Sequence, residues 1–266
     1  MVVPQRGRVE LTVGCVRGLR VWEGRGVEIV VVDDGTPGDW GAGRRELEGL
    51  GCELVWRAAT GVTSAWNAGW RASRGGVVVF LNNDVVVEGA FLGRLVGPLV
   101  GEGGGGASFG EVETGEGGGE VGGSRRRGFL SLRDPTTRWS GHPEDARGGE
   151  VQVTGVSWRE ERGVGRVLEG WCLAVRREVL EELGGFDERL RVYFSDTEFQ
   201  QRVRARWGEG AVVRVEGDGA GGGWPVRHLG HRTAHDVRLL PERGRVWRED
   251  RREFWRGMTN DLRPND

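Results

Sequence analysis

Val77-Val78-Val79-Phe80-Leu81-Asn82-Asn83-Asp84 is an apolar run that passes without a break into three polar residues. A run of this length, rich in β-branched side chains, reads as a strand buried on both faces. Two more runs read the same way: 28–32, which leads into Asp33-Asp34-Gly35-Thr36, and 53–56. Helical stretches lie between them. Leu11, Cys15, Leu19 and Trp22 recur on one helical face. Ala65, Gly69 and Ala72 form a small-residue face that lets a helix sit close to a sheet. Strands alternating with helices imply βαβ units and a parallel sheet. Ligands of such sheets bind beyond the carboxyl ends of the strands, where these polar residues stand. The expected fold class is α/β: a Rossmann-like, mostly parallel central sheet flanked by helices, in a single domain.

Beyond the third strand the pattern changes. Residues 101–123 are a Gly/Glu tract that cannot bury enough apolar surface to offset ordering, and a flexible loop is expected there. Arg125-Arg126-Arg127 follows and reads as the solvated end of that loop. Strands are expected over 151–157, 168–175 and 211–215. Arg177–Leu183 reads as a helix stopped by Gly184-Gly185. Ser195–Trp207 reads as another, with Phe199, Val203 and Trp207 on one face and Ser195 as its N-cap. The tail from Pro241 onward carries Trp247, Phe254, Trp255 and Met258 on one possible helical face and reads as a docking helix.

Composition excludes several classes. The chain has 266 residues and a formal net charge of −2, which leaves no basic footprint for nucleic acid. Its 50 glycines imply mobile loops, because each ordered glycine costs backbone entropy. Lysine is absent, and the residues in excess have G-rich codons, so arginine and tryptophan abundance carries little functional weight. Cys15, Cys52 and Cys172 are far apart and odd in number, which fits a reducing compartment. The N-terminus shows no signal pattern. No apolar run approaches the roughly 20 residues of a membrane span. A cytoplasmic protein is expected, at most peripheral at the inner face of the membrane.

Four segments can carry chemistry. Asp33-Asp34 ends a buried strand, where carboxylates can accept hydrogen bonds from a base or ribose. Asn82-Asn83-Asp84 ends another, and one carboxylate there plus a diphosphate would suit a hard divalent cation. Asp196 and Glu198 lie in the first turn of a helix, where the macrodipole favours ionised acids. His228, His231 and His235 have a spacing that could hold zinc, but no cysteine is near and no HExxH base is present. A single histidine on a donor-bound metal is the favoured reading.

The order of these segments resembles the family 2 glycosyltransferases, particularly their rhamnosyltransferase-like branch. The resemblance starts at Val2-Val3-Pro4 and runs through Glu10-Leu11-Thr12-Val13-Gly14-Cys15-Val16 and Val31-Val32-Asp33-Asp34-Gly35-Thr36. Ala65-Trp66-Asn67-Ala68-Gly69-Trp70 and Val79-Phe80-Leu81-Asn82-Asn83-Asp84 are its most specific stretches. Arg176-Arg177-Glu178, Gly184-Gly185-Phe186-Asp187-Glu188, Tyr193-Phe194-Ser195-Asp196 and His228 complete it. It implies a glycosyltransferase-A type fold. It implies that Asp33 and Asp34 bind base and ribose and that Asn67 supports the nucleotide pocket. Asn82 and Asn83 would lie near ribose and phosphate. Asp84 and His228 would hold Mn²⁺ or Mg²⁺, and Asp196 would be the general base. Ser195 stands where the family usually has a second acid, and Gly76 where it usually has Asp.

The resemblance further implies the activity and partners. The chain would be an inverting hexosyl- or rhamnosyltransferase acting in cell-surface polysaccharide synthesis. Its partners would be a nucleotide-sugar donor and a glycan or lipid-linked sugar acceptor. Residues 1–98 would form the nucleotide-sugar half, 99–240 the acceptor and catalytic half, and 241–266 the tail. A catalytically degenerate binder of nucleotide sugar or a partner protein is the alternative. A sugar-1-phosphate nucleotidyltransferase is disfavoured, because such enzymes resemble one another in a catalytic lysine and this chain has none.

Overall fold

The computed structural model describes residues 1–100, 150–218, 223–230, 236 and 239–261. The Gly/Glu tract, Arg125-Arg126-Arg127, His231 and His235 lie outside the described residues. The first half alternates strand and helix: β1 (Val2–Gln5), α1 (Val9–Trp22), β2 (Val30–Asp34), α2 (Gly41–Gly49), β3 (Glu53–Arg57), α3 (Val62–Ala72) and β4 (Val77–Leu81). Then come β5 (Val85–Val87), α4 (Leu92–Val100), β6 (Val153–Gly155), β7 (Trp158–Glu161), β8 (Gly165–Leu168) and β9 (Cys172–Arg176). The chain closes with α5 (Arg177–Leu183), α6 (Ser195–Trp207), β10 (Val212–Arg214), β11 (Val226–His228) and α7 (Arg243–Asp261).

Seven strands form the central sheet in the order β10-β6-β9-β4-β1-β2-β3. All its strands run in one direction except β9, which is antiparallel to both β4 and β6. The expected α/β fold of glycosyltransferase-A type, with a mostly parallel sheet flanked by helices, is what forms. One apolar layer packs α1 and α4 on one face of the sheet. The other packs α3, α5 and α6 on the opposite face. Gly69 lets α3 lie against the strands: a Cβ there would stand 2.2 Å from a Val2 methyl and 3.0 Å from a Val32 methyl.

Several local readings change. The stretch 53–56 is not a buried strand, because β3 is the sheet's edge and leaves Trp56 74% exposed. The apolar face of α1 is centred on Val13, Cys15, Val16 and Leu19, and Trp22 faces solvent. The expected strand 168–175 is broken at Glu169, Gly170 and Trp171. Its first part, β8, pairs with β7 in a separate hairpin, and β9 alone joins the sheet. At the break Gly170 passes too close to Asp196 and Trp66 for a side chain: a Cβ would meet them at 2.9 and 3.0 Å. Ser195 is the first residue of α6 rather than its cap. Phe194 holds that position at φ 64°, in the left-handed region that bulky residues rarely adopt. Helix α5 ends at Gly184, at φ 72°, as the glycine pair predicts.

A buried hydrogen-bond chain ties the carboxyl ends of β1, β2 and β4 together. Asn83 Nδ2 donates to Thr12 Oγ1 at 3.0 Å, and Thr12 donates to Gln5 Oε1. Gln5 Nε2 donates to Thr36 Oγ1 at 3.0 Å, and Thr36 donates to Asp33 Oδ1. Thr12→Val keeps the shape but leaves Asn83 without its acceptor and Gln5 without its donor. Stability should fall by about 1–3 kcal/mol, read as a lower urea midpoint at unchanged slope. An unchanged midpoint would mean that the chain contributes nothing to the fold.

Candidate active site

The sheet's carboxyl edge opens into a cavity of about 460 Å³. Gln5 and Arg6 reach it from the end of β1, Asp34 from β2, and Asn82, Asn83 and Asp84 from β4. Arg159 and Glu161 reach it from β7, and Glu169, Gly170 and Trp171 from the break before β9. The loop 192–194 and the start of α6 bring Tyr193, Phe194, Ser195 and Asp196. Leu239, Leu240 and Trp247 add an apolar part of the lining, as does Trp66 from α3. Residues distant in sequence thus share one cavity, because parallel strands deliver their polar termini to the same edge.

Asp34 is buried and held from behind. Its Oδ1 accepts from Thr60 N at 2.8 Å, and its Oδ2 accepts from Gly61 N at 3.0 Å. Arg6 lies 3.6 Å from the same Oδ2. Burial pushes this carboxyl above its usual range, against those two amides and the nearby arginines. Gly61 is required there, since a Cβ would stand 2.3 Å from the carbonyl oxygen of Arg191. Asp33 is buried beside Asp34 but is not part of the lining. One of its oxygens takes the Thr36 turn, and Oδ2 has no partner among the described residues.

Asn67 is also away from the cavity. Its Nδ2 donates to the carbonyl of Phe186 at 2.8 Å, and its Oδ1 accepts from Phe186 N at 2.9 Å and Trp70 Nε1 at 3.0 Å. It clamps the turn after α5 against α3. Phe186 in turn packs on Phe80, Trp66 and Phe199. That aromatic cluster includes Trp66, which lines the cavity.

Asp84 and His228 meet because β11 pairs antiparallel with β5, placing His228 opposite Val85. His228 Nε2 lies 3.1 Å from Asp84 Oδ1 and 3.4 Å from Asn82 Nδ2. Trp171 stacks on the imidazole, with ring centroids 5.2 Å apart and planes 8° from parallel. The spacing suits a divalent cation. Two neighbouring ligand atoms on an octahedral ion at 2.0–2.1 Å stand roughly 3 Å apart. No group of three or more His, Cys, Asp or Glu that could hold a metal occurs among the described residues. The protein would supply a carboxylate and an imidazole, leaving room for phosphate oxygens.

Asp196, on the opposite wall of the cavity, is heavily engaged. Arg159 Nη1 and Gly170 N donate to its Oδ2 at 2.7 and 2.9 Å. Arg159 Nη2 and Thr197 N donate to its Oδ1 at 3.0 and 2.8 Å. Arg159 also lies 3.4 Å from Glu161. Burial alone would lower the guanidinium's pKa, but Asp196 and then Glu161 overcome it and hold it above its usual range. Glu198 faces elsewhere, pairing with Arg202 at 2.6 Å. The residues missing from the sequence reading are Gln5, Arg6, Thr12, Arg159 and Trp171. Arg6 flanks a recognised motif and Thr12 lies inside one without a role read for it, whereas no local signal marks Arg159 among the many arginines.

A mostly parallel sheet whose polar strand ends open into a cavity at its carboxyl edge defines a ligand-binding class of α/β protein. Residues 1–184 match the family described as Glycosyl transferase family 2, and the chain belongs to that family. No curated protein matches by sequence. Among solved structures, the mannosyltransferase PcManGT from Pyrobaculum calidifontis, in complex with GDP-Man and Mn²⁺, is similar at 16% identity and a TM-score of 0.50. The match covers 93% of this chain and 63% of that one, so this chain spans under two thirds of its length. Glucosyl-3-phosphoglycerate synthase from Mycobacterium tuberculosis, with Mn²⁺, UDP-glucose and glycerol 3-phosphate, is similar at 16% identity and a TM-score of 0.54, covering 93% and 76%. TarS 1-349 from S. aureus, in complex with UDP, matches at 12% identity and a TM-score of 0.51, covering 82% and 57%. At these identities the likeness speaks for the fold. Among the described residues no helix is long and apolar enough to cross a membrane.

Asp84→Asn isolates the carboxylate's charge without changing its shape. In thermal titrations with UDP- and GDP-sugars, Mn²⁺ should increase the stabilisation of the parent protein. A ligand at 100 times its Kd adds about 2.7 kcal/mol. The variant should lose the Mn²⁺-dependent part and keep the rest. Equal Mn²⁺-dependence in both proteins would remove Asp84 from the metal site.

Proposed function

We propose that the chain is an inverting glycosyltransferase. It would move a sugar, of hexosyl or rhamnosyl type, from a nucleoside diphosphate to a hydroxyl of a glycan or lipid-linked acceptor. The observation that carries this reading is that Asp84, backed by His228, and Asp196 open into one cavity at the sheet's carboxyl edge. A diphosphate leaving group and an incoming hydroxyl need two such acids in one space.

In this reading residues 1–98 hold the nucleotide sugar. Asp34 and Arg6 present a carboxylate and a guanidinium at the nucleotide end, and Asp33 keeps an unpaired oxygen just behind them. Asn82 and Asn83 lie beside ribose and phosphate, with Asn83 aimed by Thr12. Asp84 and His228 would hold Mn²⁺ or Mg²⁺. When bound, that ion supplies Lewis-acid neutralisation of the leaving diphosphate. Residues 99–240 carry the acceptor side, and Asp196 takes the proton from the attacking hydroxyl. The hydroxyl oxygen bonds the anomeric carbon as the carbon–diphosphate bond breaks on the opposite face, which inverts the centre. Asp196 can accept that proton only after Arg159 releases it, and Glu161 is the neighbouring carboxylate to which the guanidinium can turn. In this reading the protein acts in the cytoplasm, at most peripheral at the inner face of the cell membrane, in cell-envelope polysaccharide synthesis.

One observation favours a second reading. The Arg159–Asp196 pair, with Ser195 in place of a second acid, suits a chain that binds a nucleotide sugar without turning it over. The two readings separate on Asp196→Asn. For a general base the transfer rate falls by about 10²–10⁴ while donor affinity stays within a few-fold. Glu198→Gln, on the same helix but paired with Arg202, should leave turnover near that of the parent. If Glu198→Gln stops turnover and Asp196→Asn does not, the base is the other acid. If the parent binds donor and never releases nucleoside diphosphate, the chain is the binder.

A further inference from the structure

Helix α7 supplies a wall of the cavity that the transfer chemistry above does not use. The line it buries is Val246, Asp250 and Phe254. The Asp250 carboxylate accepts from the backbone N–H of Arg191 at 3.1 Å and from those of Val192 and Tyr193 at 2.9 Å each. Phe254 stacks on Phe194, with centroids 5.3 Å apart and planes 19° from parallel. Phe194 is the left-handed residue that launches α6 toward Asp196. Helix α7 and the loop that aims Asp196 therefore form one locked unit. A strained backbone of this kind persists only where its surroundings hold it.

Trp247 sits on that unit and is treated differently from its neighbours. It is 41% exposed, yet it lines the cavity. Phe194 supports one side, with centroids 6.3 Å apart, and the Arg251 guanidinium lies 5.5 Å from the ring. An exposed tryptophan on a sheet edge, such as Trp56, needs no explanation. An exposed indole on a concave wall, flanked by a second ring and a guanidinium, is what a binding pocket uses to offer apolar area. Trp247 is bound to the Asp196 loop, not to the strand ends that carry Asp34 and Asp84.

We propose that Trp247 is the platform on which a neutral sugar ring of the acceptor stacks. The ring's C–H face would lie on the indole and its hydroxyl edge would point toward Asp196. This rests on the glycosyltransferase reading for the identity of the ligand. The test is saturation-transfer NMR, with the methyl glycosides of glucose, mannose, galactose, rhamnose and N-acetylglucosamine as probes. They are titrated against the parent protein, Trp247→Leu, Trp247→Phe and Trp56→Leu. Acceptor and donor KM are measured in parallel on whichever glycoside is turned over.

The parent should transfer saturation to the ring protons of at least one glycoside. Trp247→Leu should lose that signal and raise acceptor KM roughly tenfold, with donor KM unchanged. Trp247→Phe should be intermediate, and Trp56→Leu should match the parent. No signal from any glycoside overturns the proposal, as does a signal that survives in Trp247→Leu or a rise in donor KM alone. A signal lost in Trp247→Leu without turnover by the parent keeps the platform and defeats the transferase reading. Turnover by the parent with acceptor KM unchanged in Trp247→Leu does the reverse.

Discussion

The directional chain Asn83 to Thr12 to Gln5 to Thr36 to Asp33 is the constraint on which the site depends. Parallel strands bring polar termini to one edge, but hydrophobic packing does not fix how those termini point. Each member of this chain donates to the next, and the last acceptor is a carboxylate that needs no donor of its own. Reversing any hydroxyl would leave a buried polar group unpaired, and that penalty selects one arrangement. The result joins β1, β2 and β4 at the rim where Asp34 and Asp84 meet the cavity.

A second constraint acts on the opposite wall. Asp196 is oriented by Arg159 from the β7–β8 hairpin, by the amide of Gly170 and by the loop locked under α7. These contacts make the acid's position well defined at the cost of its availability. The Arg159 pair couples the acid to a two-stranded hairpin that lies outside the main sheet. The partner that occupies Asp196 thus belongs to a small element rather than to the core sheet.

Most of the sheet was legible in the sequence because buried parallel strands write continuous apolar runs. The runs at β2 and β4 and the glycine-stopped helix α5 have that local origin. The edge strand β3 did not, since an edge and a central strand can carry the same four residues and differ only in what lies beside them. The break at Gly170 was hidden for a related reason: its glycine answers to Asp196 and Trp66, side chains far away in sequence. Within the site, Asp34, Asn82, Asn83, Asp84 and Asp196 were legible as polar residues at strand or helix ends, and the cavity unites them. Asp33 and Asn67 were legible as motif residues, yet the structure sets both behind the lining. Arg159, Gln5 and Trp247 act through contacts that no local spacing encodes.

The proposed reaction is a single displacement at the anomeric carbon in one cavity. Its most direct measurement is the anomeric configuration of the transfer product by proton NMR, together with the nucleotide released. A single displacement gives a configuration opposite to that of the donor, with one nucleoside diphosphate released per bond formed. A product that retains the donor's configuration, or release of pyrophosphate, would contradict it.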